Sequence, residues 1–235
     1  MIRGVLLDVD DTLVDTRAAF REALGHVVAE WLPHLDAAGR EAALRHWVRD
    51  ESGHFRAYTR GEISVVEQRH RRAAALHAAF GGPRLDEEGM RRWEAGYEAA
   101  FRAAWRACAD AVPLLDAAAA AGLRVGAVTN MVTDYQREKL AVVGLLDRIP
   151  VVVGLDVAGA GKPDPRIFLR GCAELGVAPC EAAYVGDEVD VDAEGARDAG
   201  LLGVWLDRHG SGEDPGGVPV VRTLAELPEL LGFGT

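Results

Sequence analysis

Residues 4–13, GVLLDVDDTL, decide how the rest of the chain is interpreted. The segment begins with a short apolar run, and such runs are typical of strands that are buried on both faces of a parallel sheet. Two carboxylates, Asp8 and Asp10, end the run. Because ligands of parallel α/β sheets bind beyond the carboxyl ends of the strands, the segment predicts a ligand site that begins at these two residues.

The composition is that of a globular protein. The chain has 235 residues, 49% hydrophobic and 27% charged, which fits one large domain or one domain with an insertion and excludes disorder. The net charge of −11 argues against binding to nucleic acid or to an anionic membrane. No apolar run reaches the roughly 18 residues that span a bilayer, and no signal-peptide pattern opens the sequence. Three cysteines, neither an even set nor a CxxC pair, predict free thiols and a cytoplasmic protein.

Two parts of the chain differ in their patterns. Between residues 16 and 107 the sequence is rich in Ala, Arg and Glu, has apolar residues at helical spacing and contains no convincing strand. From Val112 onward, strand patterns alternate with helix patterns, which predicts an α/β fold with a doubly wound, Rossmann-like parallel sheet. We therefore expect a catalytic core formed by residues 1–15 and 108–235, with residues 16–107 as an inserted α-helical domain.

The same patterns predict the boundaries of individual elements. The helices expected in the insertion span residues 16–31, 41–48, 62–80 and 87–105. The strands expected in the core span residues 4–10, 123–129, 151–153, 183–186, 202–206 and 218–221, and the helices span 113–121, 134–143, 165–175, 191–199 and 224–231. Asp164 and Pro165 are the expected N-cap and first-turn proline of one helix, and Cys172 is expected in its buried face.

Polar side chains mark the ends of other predicted core strands. Thr129 ends one strand, Lys162 lies in the loop after another, and Asp187 and Asp192 follow a third. Five carboxylates crowd into the eight residues that begin at Asp187. Acids also favour the first turn of a helix, but this alternative does not account for the two acids of the first strand. Crowded carboxylates with no His or Cys nearby indicate Mg²⁺, because a cation relieves their repulsion and hard oxygen ligands suit this ion.

Lysine is rare in this chain. Of 26 basic residues, 24 are Arg, and only Lys139 and Lys162 are Lys. A chain so rich in Arg keeps a Lys either where it tolerates one or where a compact point charge matters. Because Lys162 follows a strand end, we expect it to be functional.

These residue types indicate phosphoryl chemistry. A carboxylate beside a metal ion can attack phosphorus and form an aspartyl phosphate. Lys162 would supply positive charge to the transferred group, and Thr129 would supply a hydroxyl. A second carboxylate two residues further on can protonate the leaving oxygen and later deprotonate water.

Four short motifs together resemble the signature of the haloacid dehalogenase superfamily. They are DVDDTL at residues 8–13, VTN at 128–130, GKPDP at 161–165, and GD at 186–187 followed by Asp192. Each motif alone is weak, whereas all four occur in the family's order and each lies at a predicted strand end. The resemblance covers essentially the whole chain. The helical insertion is similar to the α-helical cap of a branch that acts on small soluble substrates.

The resemblance implies a role for each matching residue. Asp8 would be the nucleophile and Asp10 the general acid/base. Thr129 would bind phosphoryl oxygens, and Lys162 would neutralise both Asp8 and the transferred group. Asn130 would donate its backbone N–H to the phosphate, or its side chain would only shape the turn.

The resemblance also implies a Mg²⁺ site. The carboxylates of Asp8 and Asp187 and the backbone carbonyl of Asp10 would hold the ion, and Asp192 would act on it indirectly. Two positions depart from the common pattern. Asp11 stands where Gly is frequent, and Val191 stands where many relatives have Asn.

Asp10 favours phosphate ester hydrolysis. The dehalogenases of the superfamily lack an Asp at this position, because a halide leaves without a proton whereas an alkoxide needs one. We therefore expect a Mg²⁺-dependent phosphatase of a small phosphorylated metabolite, either a monomer or a homodimer. A phosphomutase has the same motifs and stays an alternative. A signalling receiver domain, which is about half this length, and a non-catalytic binding relative are less favoured.

The insertion does not identify the substrate. The run at residues 69–72 is expected to be a solvated helix face rather than a phosphate-binding patch. His54, Tyr58 and Arg60 could reach the active site from a loop, but a surface position is at least equally compatible with the sequence.

Overall fold

The computed structural model describes residues 1–59 and 62–233. Its contacts divide the chain into two compact units: the core unit, Met1–Thr16 with Trp105–Thr235, and the helical unit, Arg17–Ala104. The sequence pattern places these divisions after residues 15 and 107. The second division differs because Ala107 forms a β-bridge with Val14, so that the segment from Trp105 onward belongs to the core unit.

Six parallel strands form the sheet of the core unit. They are β1 (Gly4–Leu7), β2 (Arg124–Val128), β3 (Val151–Val153), β4 (Ala182–Gly186), β5 (Leu202–Leu206) and β6 (Val220–Val221). The order across the sheet is β3-β2-β1-β4-β5-β6, with β1 in the interior. The predicted α/β class with a doubly wound, Rossmann-like parallel sheet is confirmed.

Helices account for most of the remaining described residues. The helical unit contains α1 (Thr16–Trp31, which begins at the boundary), α2 (Ala37–Arg49), α3 (His54–Thr59), α4 (Val65–Ala79) and α5 (Glu87–Ala103). The core unit contains α6 (Ala111–Ala120), α7 (Thr133–Val142), α8 (Leu155–Ala158), α9 (Pro165–Leu175), α10 (Gly195–Asp198) and α11 (Leu227–Leu231). None of the helices in the described ranges is long and apolar enough to cross a membrane.

The ends of α9 show why its predicted boundaries are correct. The Asp164 side chain accepts a hydrogen bond from the Arg166 N–H at 2.9 Å, and Pro165 occupies the first turn, where its missing N–H costs nothing. Gly176 ends the helix with φ of +66°, in the left-handed region that favours glycine. Cys172 lies buried on the inner face, as expected.

The register of the strands brings their carboxyl ends together. Leu7 of β1 is paired with Ala127 of β2 on one side and with Val185 of β4 on the other. The next residue, Asp8, donates its N–H to the Val185 carbonyl at 2.9 Å. The residues that follow β1, β2 and β4 therefore begin at the same level of the same sheet edge.

One predicted core helix has a different form. The helix expected at residues 191–199 is a π-type turn over Val189–Glu194 followed by the short α10. The N–H groups of Asp192 and Ala193 both donate to the Glu188 carbonyl, at 2.9 and 3.4 Å, which widens the turn. Such turns occur frequently at functional sites.

The helical unit has an aromatic core of its own. Trp93 stacks on Trp47 with ring centroids 5.6 Å apart and on Tyr97 with centroids 5.3 Å apart. Trp93 and Tyr97 lie four residues apart on α5, and both are buried, as is Trp47 on α2. Stacked rings of this kind contribute a large apolar area to one compact interior.

Two arginines of α4 correct one sequence-based expectation. The guanidinium of Arg72 lies 4.1 Å from the centre of the Trp47 ring, and that of Arg69 lies 5.0 Å from the centre of the Tyr97 ring. Their side chains are only 12% and 15% exposed, so the expectation of a solvated face is wrong for these two residues. The expectation overlooked cation–π packing, which lets an arginine line an aromatic core.

Candidate active site

The loop after β1 turns sharply, and hydrogen bonds from Arg208 hold its backbone. Asp11 has φ of +56°, and its N–H donates to the Val14 carbonyl at 2.8 Å. The left-handed region explains why Gly would suit this position, and Asp is among the residues that tolerate it. Arg208 donates to the carbonyls of Asp11 and Thr12 at 3.2 and 2.8 Å, while both oxygens of Asp110 accept from its guanidinium.

Asp8 and Lys162 form the centre of the site. The Lys162 ammonium donates to Asp8 Oδ1 at 2.6 Å, to Asp192 Oδ1 at 2.6 Å and to the Tyr184 hydroxyl at 3.0 Å. Lys162 is 8% exposed and Asp8 is 5% exposed. A single buried ammonium therefore serves two carboxylates, although its loop and the two acids come from three separate parts of the sequence.

Asp187 adds a third carboxylate. One carboxylate oxygen from each of Asp8, Asp187 and Asp192 lies within 4.8 Å of the other two. Asp187 follows β4 directly, and its backbone carbonyl accepts a hydrogen bond from the Trp205 indole at 2.9 Å. The π-type turn returns Asp192 to the same strand end, where its Oδ2 accepts from the Glu188 N–H at 3.1 Å.

Gly186 is required by this arrangement. A Cβ atom at Gly186 would overlap the carboxylate of Asp192. The GD motif with Asp192 is thus explained in physical terms, because glycine leaves the space that the returning carboxylate occupies.

Burial and mutual repulsion shift the pKa values of the acidic groups in this cluster. Burial, reinforced by the neighbouring charges of Asp8 and Asp192, raises the pKa of Asp187 to about 9. Burial also raises the pKa of Asp8, although Lys162 opposes the shift. Burial alone would lower the pKa of Lys162, but Asp192 and Asp8 raise it well above its usual value. Three close carboxylates with one ammonium and only oxygen donors fit Mg²⁺, which balances the charge and suits these ligands.

Asp10 belongs to a different set of contacts. Its Oδ1 accepts from the Thr16 hydroxyl at 2.6 Å and from the Lys139 ammonium at 2.5 Å, and its Oδ2 accepts from the Gln136 amide at 2.7 Å. Burial would raise the pKa of Asp10. The charge of Lys139 and the hydrogen bonds from these three side chains outweigh burial and lower it.

Thr129 and Asn130 have distinct surroundings. Thr129 is buried, its N–H donates to the Val153 carbonyl at 3.0 Å, and its hydroxyl accepts from Gln136 at 2.9 Å. The Asn130 side chain accepts from the Lys162 N–H at 2.5 Å and donates to the Lys162 carbonyl at 2.9 Å. The Asn130 side chain therefore holds the loop of Lys162.

Most of the residues predicted for the site meet at this sheet edge. Asp8, Lys162, Asp187 and Asp192 form one cluster, and Asp10 lies in the adjacent network. His54 begins α3 in the helical unit, the Tyr58 ring lies 6.0 Å from that of Phe55, and Arg60 is outside the described residues.

Sequence reasoning missed Lys139, Gln136, Thr16 and Tyr184. A signal for Lys139 was present, because it is one of only two lysines in the chain. Tyr184 lies within an apolar strand, where an aromatic ring predicts core packing and conceals its hydroxyl. Gln136 and Thr16 give no signal of their own, since their partners are fixed only by the tertiary fold.

Comparisons with known proteins agree with this geometry. A family model described as haloacid dehalogenase-like hydrolase matches residues 2–200. The phosphoserine phosphatase of Thermus thermophilus is 34% identical, over 96% of this chain and 96% of its own. The phosphoglycolate phosphatase of Rhodospirillum rubrum is 31% identical, over 99% of this chain and 92% of its own.

A solved structure shows the same fold. The hydrolase YfnB of Bacillus subtilis, solved with bound magnesium, superposes with a TM-score of 0.77 over 98% of each chain at 23% identity. The match of the family model, the identity to the two relatives and the four motifs at one sheet edge all agree. This chain belongs to the haloacid dehalogenase-like hydrolases.

Proposed function

We propose that this protein is a Mg²⁺-dependent phosphatase that hydrolyses the phosphate monoester of a small metabolite through an aspartyl phosphate on Asp8. The main observation behind the proposal is that Asp8 and Asp10, two residues apart, have different partners. Asp8 shares Lys162 with an acidic cluster, whereas Asp10 is held by Lys139, Thr16 and Gln136. Such a separation suits one carboxylate for attack and the other for proton transfer.

The first step transfers the phosphoryl group to Asp8. A carboxylate oxygen of Asp8 forms a bond to phosphorus as the ester P–O bond breaks. Lys162 supplies positive charge beside the attacking oxygen, and Thr129 and the backbone at Asn130 bind the phosphoryl oxygens. Protonated Asp10 gives its proton to the leaving alkoxide, which departs as an alcohol.

The second step returns the enzyme to its starting state. Asp10, now a carboxylate, takes a proton from a water molecule as the water oxygen attacks phosphorus. The bond between phosphorus and Asp8 breaks, inorganic phosphate leaves, and both residues recover their original protonation states. The contacts of Asp10 with Lys139 and Gln136 lower its pKa and favour the carboxylate form that this step requires. The protonated form used in the first step is therefore the less populated form of Asp10, and the proton taken from water regenerates it in each cycle.

Mg²⁺ would be held by the carboxylates of Asp8 and Asp187 and by the backbone carbonyl of Asp10. When bound, it would neutralise the negative charge that gathers between the nucleophile and the phosphoryl group. Asp192 would contribute indirectly, because its oxygens already accept from Lys162, Tyr184 and the Glu188 N–H.

The names of the relatives support a small substrate. Phosphoserine, phosphoglycolate and glyceraldehyde 3-phosphate phosphatases are all among the similar proteins. We assign the choice among such substrates to the helical unit, as the resemblance implies. The free cysteines Cys108, Cys172 and Cys180 support a reducing, cytoplasmic location.

The test is phosphate release from a panel of phosphorylated amino acids, hydroxy acids, sugars and nucleotides in the presence of Mg²⁺. We expect hydrolysis of at least one alkyl monoester, no activity of Asp8→Asn, and full activity of the control Asp147→Asn. Asp147 is exposed and precedes β3, away from the carboxyl ends of the strands. Undiminished activity of Asp8→Asn would show that Asp8 is not the nucleophile. Transfer of phosphate between substrate hydroxyls without release would identify a phosphomutase instead.

A further inference from the structure

Lys139 is the most deeply buried cation in the described part of the core unit. Its residue exposure is 1%, and it lies on α7. The ammonium lies 5.5 Å from the ring centre of Trp105 and 5.4 Å from that of Tyr135. Burying an ammonium is costly unless it is paired, and Lys139 is paired with Asp10 at 2.5 Å.

Gln136 lies one turn before Lys139 and connects two parts of the proposed machinery. Its amide donates to Asp10 Oδ2 at 2.7 Å and to the Thr129 hydroxyl at 2.9 Å. Gln136 is fully buried, so its side chain has little freedom to leave these partners. The carboxylate of Asp10 is thereby connected to the residue proposed to bind phosphoryl oxygens.

The side chain of Asp10 is only partly buried. It is 35% exposed, in contrast to the 2% exposure of the Lys139 side chain. A carboxylate at that exposure can adopt several rotamers unless donors fix both oxygens, and Lys139 with Thr16 fixes one while Gln136 fixes the other. Proton transfer needs the carboxyl group within hydrogen-bond reach of the leaving oxygen, and small misplacements are costly.

We propose that Lys139 and Gln136 are positioning residues that hold the Asp10 carboxyl group in the orientation for proton transfer to the leaving group. This inference rests on the proposed phosphatase function and assigns that site two further residues. Their role is separate from that of Lys162, which contacts Asp8 and Asp192 and is not among the donors to Asp10.

The test uses the leaving group as its readout. An alkoxide needs a proton to depart, whereas dinitrophenolate does not. A misplaced Asp10 should therefore slow phosphoryl transfer to Asp8 from an alkyl phosphate but not from dinitrophenyl phosphate. For Lys139→Met we expect kcat/KM to fall by about 10- to 100-fold with an alkyl phosphate, the scale of a lost supporting contact. With dinitrophenyl phosphate we expect kcat/KM to change far less.

One control and one further variant distinguish a positioning role from a general loss of structure. Arg137→Met removes the same charge from an exposed position of the same helix and should leave both substrates unaffected. Gln136→Met replaces a buried, uncharged side chain with one of similar size and should give the same selective loss if Lys139→Met does not fold. A thermal melt of each variant establishes that it is folded.

A double-mutant cycle identifies the partner. If Lys139 acts through Asp10, adding Lys139→Met to Asp10→Asn should cause no further loss with the alkyl phosphate. Equal losses with both leaving groups in folded Lys139→Met and Gln136→Met, or additive losses in the double variant, would overturn this inference and leave the phosphatase function intact. A wild-type protein that hydrolyses neither substrate in Mg²⁺ would overturn the proposed function, and the inference with it.

Discussion

The two buried lysines of the core unit lie beside the two carboxylates of a single motif, yet their surroundings differ. Around Lys162, three carboxylates approach one another within 4.8 Å. Around Lys139, the Asp10 carboxylate accepts hydrogen bonds from the ammonium and from two neutral donors, Thr16 and Gln136. The first region has more negative than positive charge, and the second is balanced.

The pKa shifts follow that difference. In the first region, burial and like charges raise the pKa of Asp187 to about 9. In the second region, Lys139 and the neutral donors overcome burial and lower the pKa of Asp10. Carboxylates outnumber the ammonium only in the first region, which is where we propose that Mg²⁺ binds.

The largest effect expected from this difference concerns metal removal. Treatment with EDTA should reduce phosphate release to background, and Mg²⁺ should restore it, because the acidic cluster cannot hold a negatively charged phosphoryl group without a cation. Lys139→Met should retain the same Mg²⁺ affinity in a calorimetric titration, since no side chain of the second region is expected to bind the ion. Full activity in metal-free buffer would contradict the proposal that the acidic cluster works with Mg²⁺.

The next largest effect concerns Asp10→Asn. We expect kcat for an alkyl phosphate to fall by about 10²–10⁴-fold, the usual scale of a lost general acid/base. Mg²⁺ binding should persist, because Asp10 is expected to offer the ion only its backbone carbonyl. A variant that loses Mg²⁺ affinity together with activity would show that the two regions are not separate.

A smaller loss is expected for Lys162→Arg, which preserves the charge. A compact ammonium contacts Asp8, Asp192 and Tyr184 together, whereas a planar guanidinium favours one bidentate partner. We expect a loss of activity of about 10²-fold, the cost of a small displacement at the reacting centre. Binding of Mg²⁺ with a metallofluoride mimic of the transition state should also weaken. A stable variant with near-native turnover would reduce Lys162 to a generic counter-charge.

The smallest expected effect is the pH dependence of stabilisation by Mg²⁺. Because the folded pKa of Asp187 is raised, the metal-free folded protein binds more protons than the unfolded chain and loses stability as pH rises toward about 9. Mg²⁺ must displace that proton, so its increase of Tm should be larger at about pH 8 than at about pH 6. Asp187→Asn should weaken this trend, and the raised pKa of Asp8 accounts for what remains of it. A trend unchanged in that variant would assign the proton to another group.

Much of the first region could be predicted from the sequence. Asp8, Asp187 and Lys162 follow apolar strands or their loops, and the carboxyl ends of parallel strands meet at one edge. The family resemblance is confirmed by the family model. The boundaries of α1 and α9 are confirmed as well, and the caps of α9 set its two ends locally.

The second region could not be predicted, for a physical reason. Lys139 and Gln136 lie three residues apart on a helix, a spacing that also suits ordinary core packing. Their partner Asp10 lies 129 and 126 residues away in sequence. The π-type turn at Asp192 could not be predicted for a similar reason. Its acids are typical of a helix start, and only the fold shows that the Asp192 carboxylate returns to the end of β4.

The site of phosphorylation in Asp10→Asn tests most directly whether Asp8 attacks phosphorus while Asp10 transfers protons. Dinitrophenyl phosphate should phosphorylate this variant without a general acid, while the missing base slows hydrolysis of the phosphoenzyme. After acid quenching, mass spectrometry of the peptides should find one phosphoryl group on Asp8, in larger amount than in the wild-type protein. A wild-type protein that turns over this substrate, together with an Asp10→Asn variant that carries no phosphoryl group on Asp8, would contradict the account.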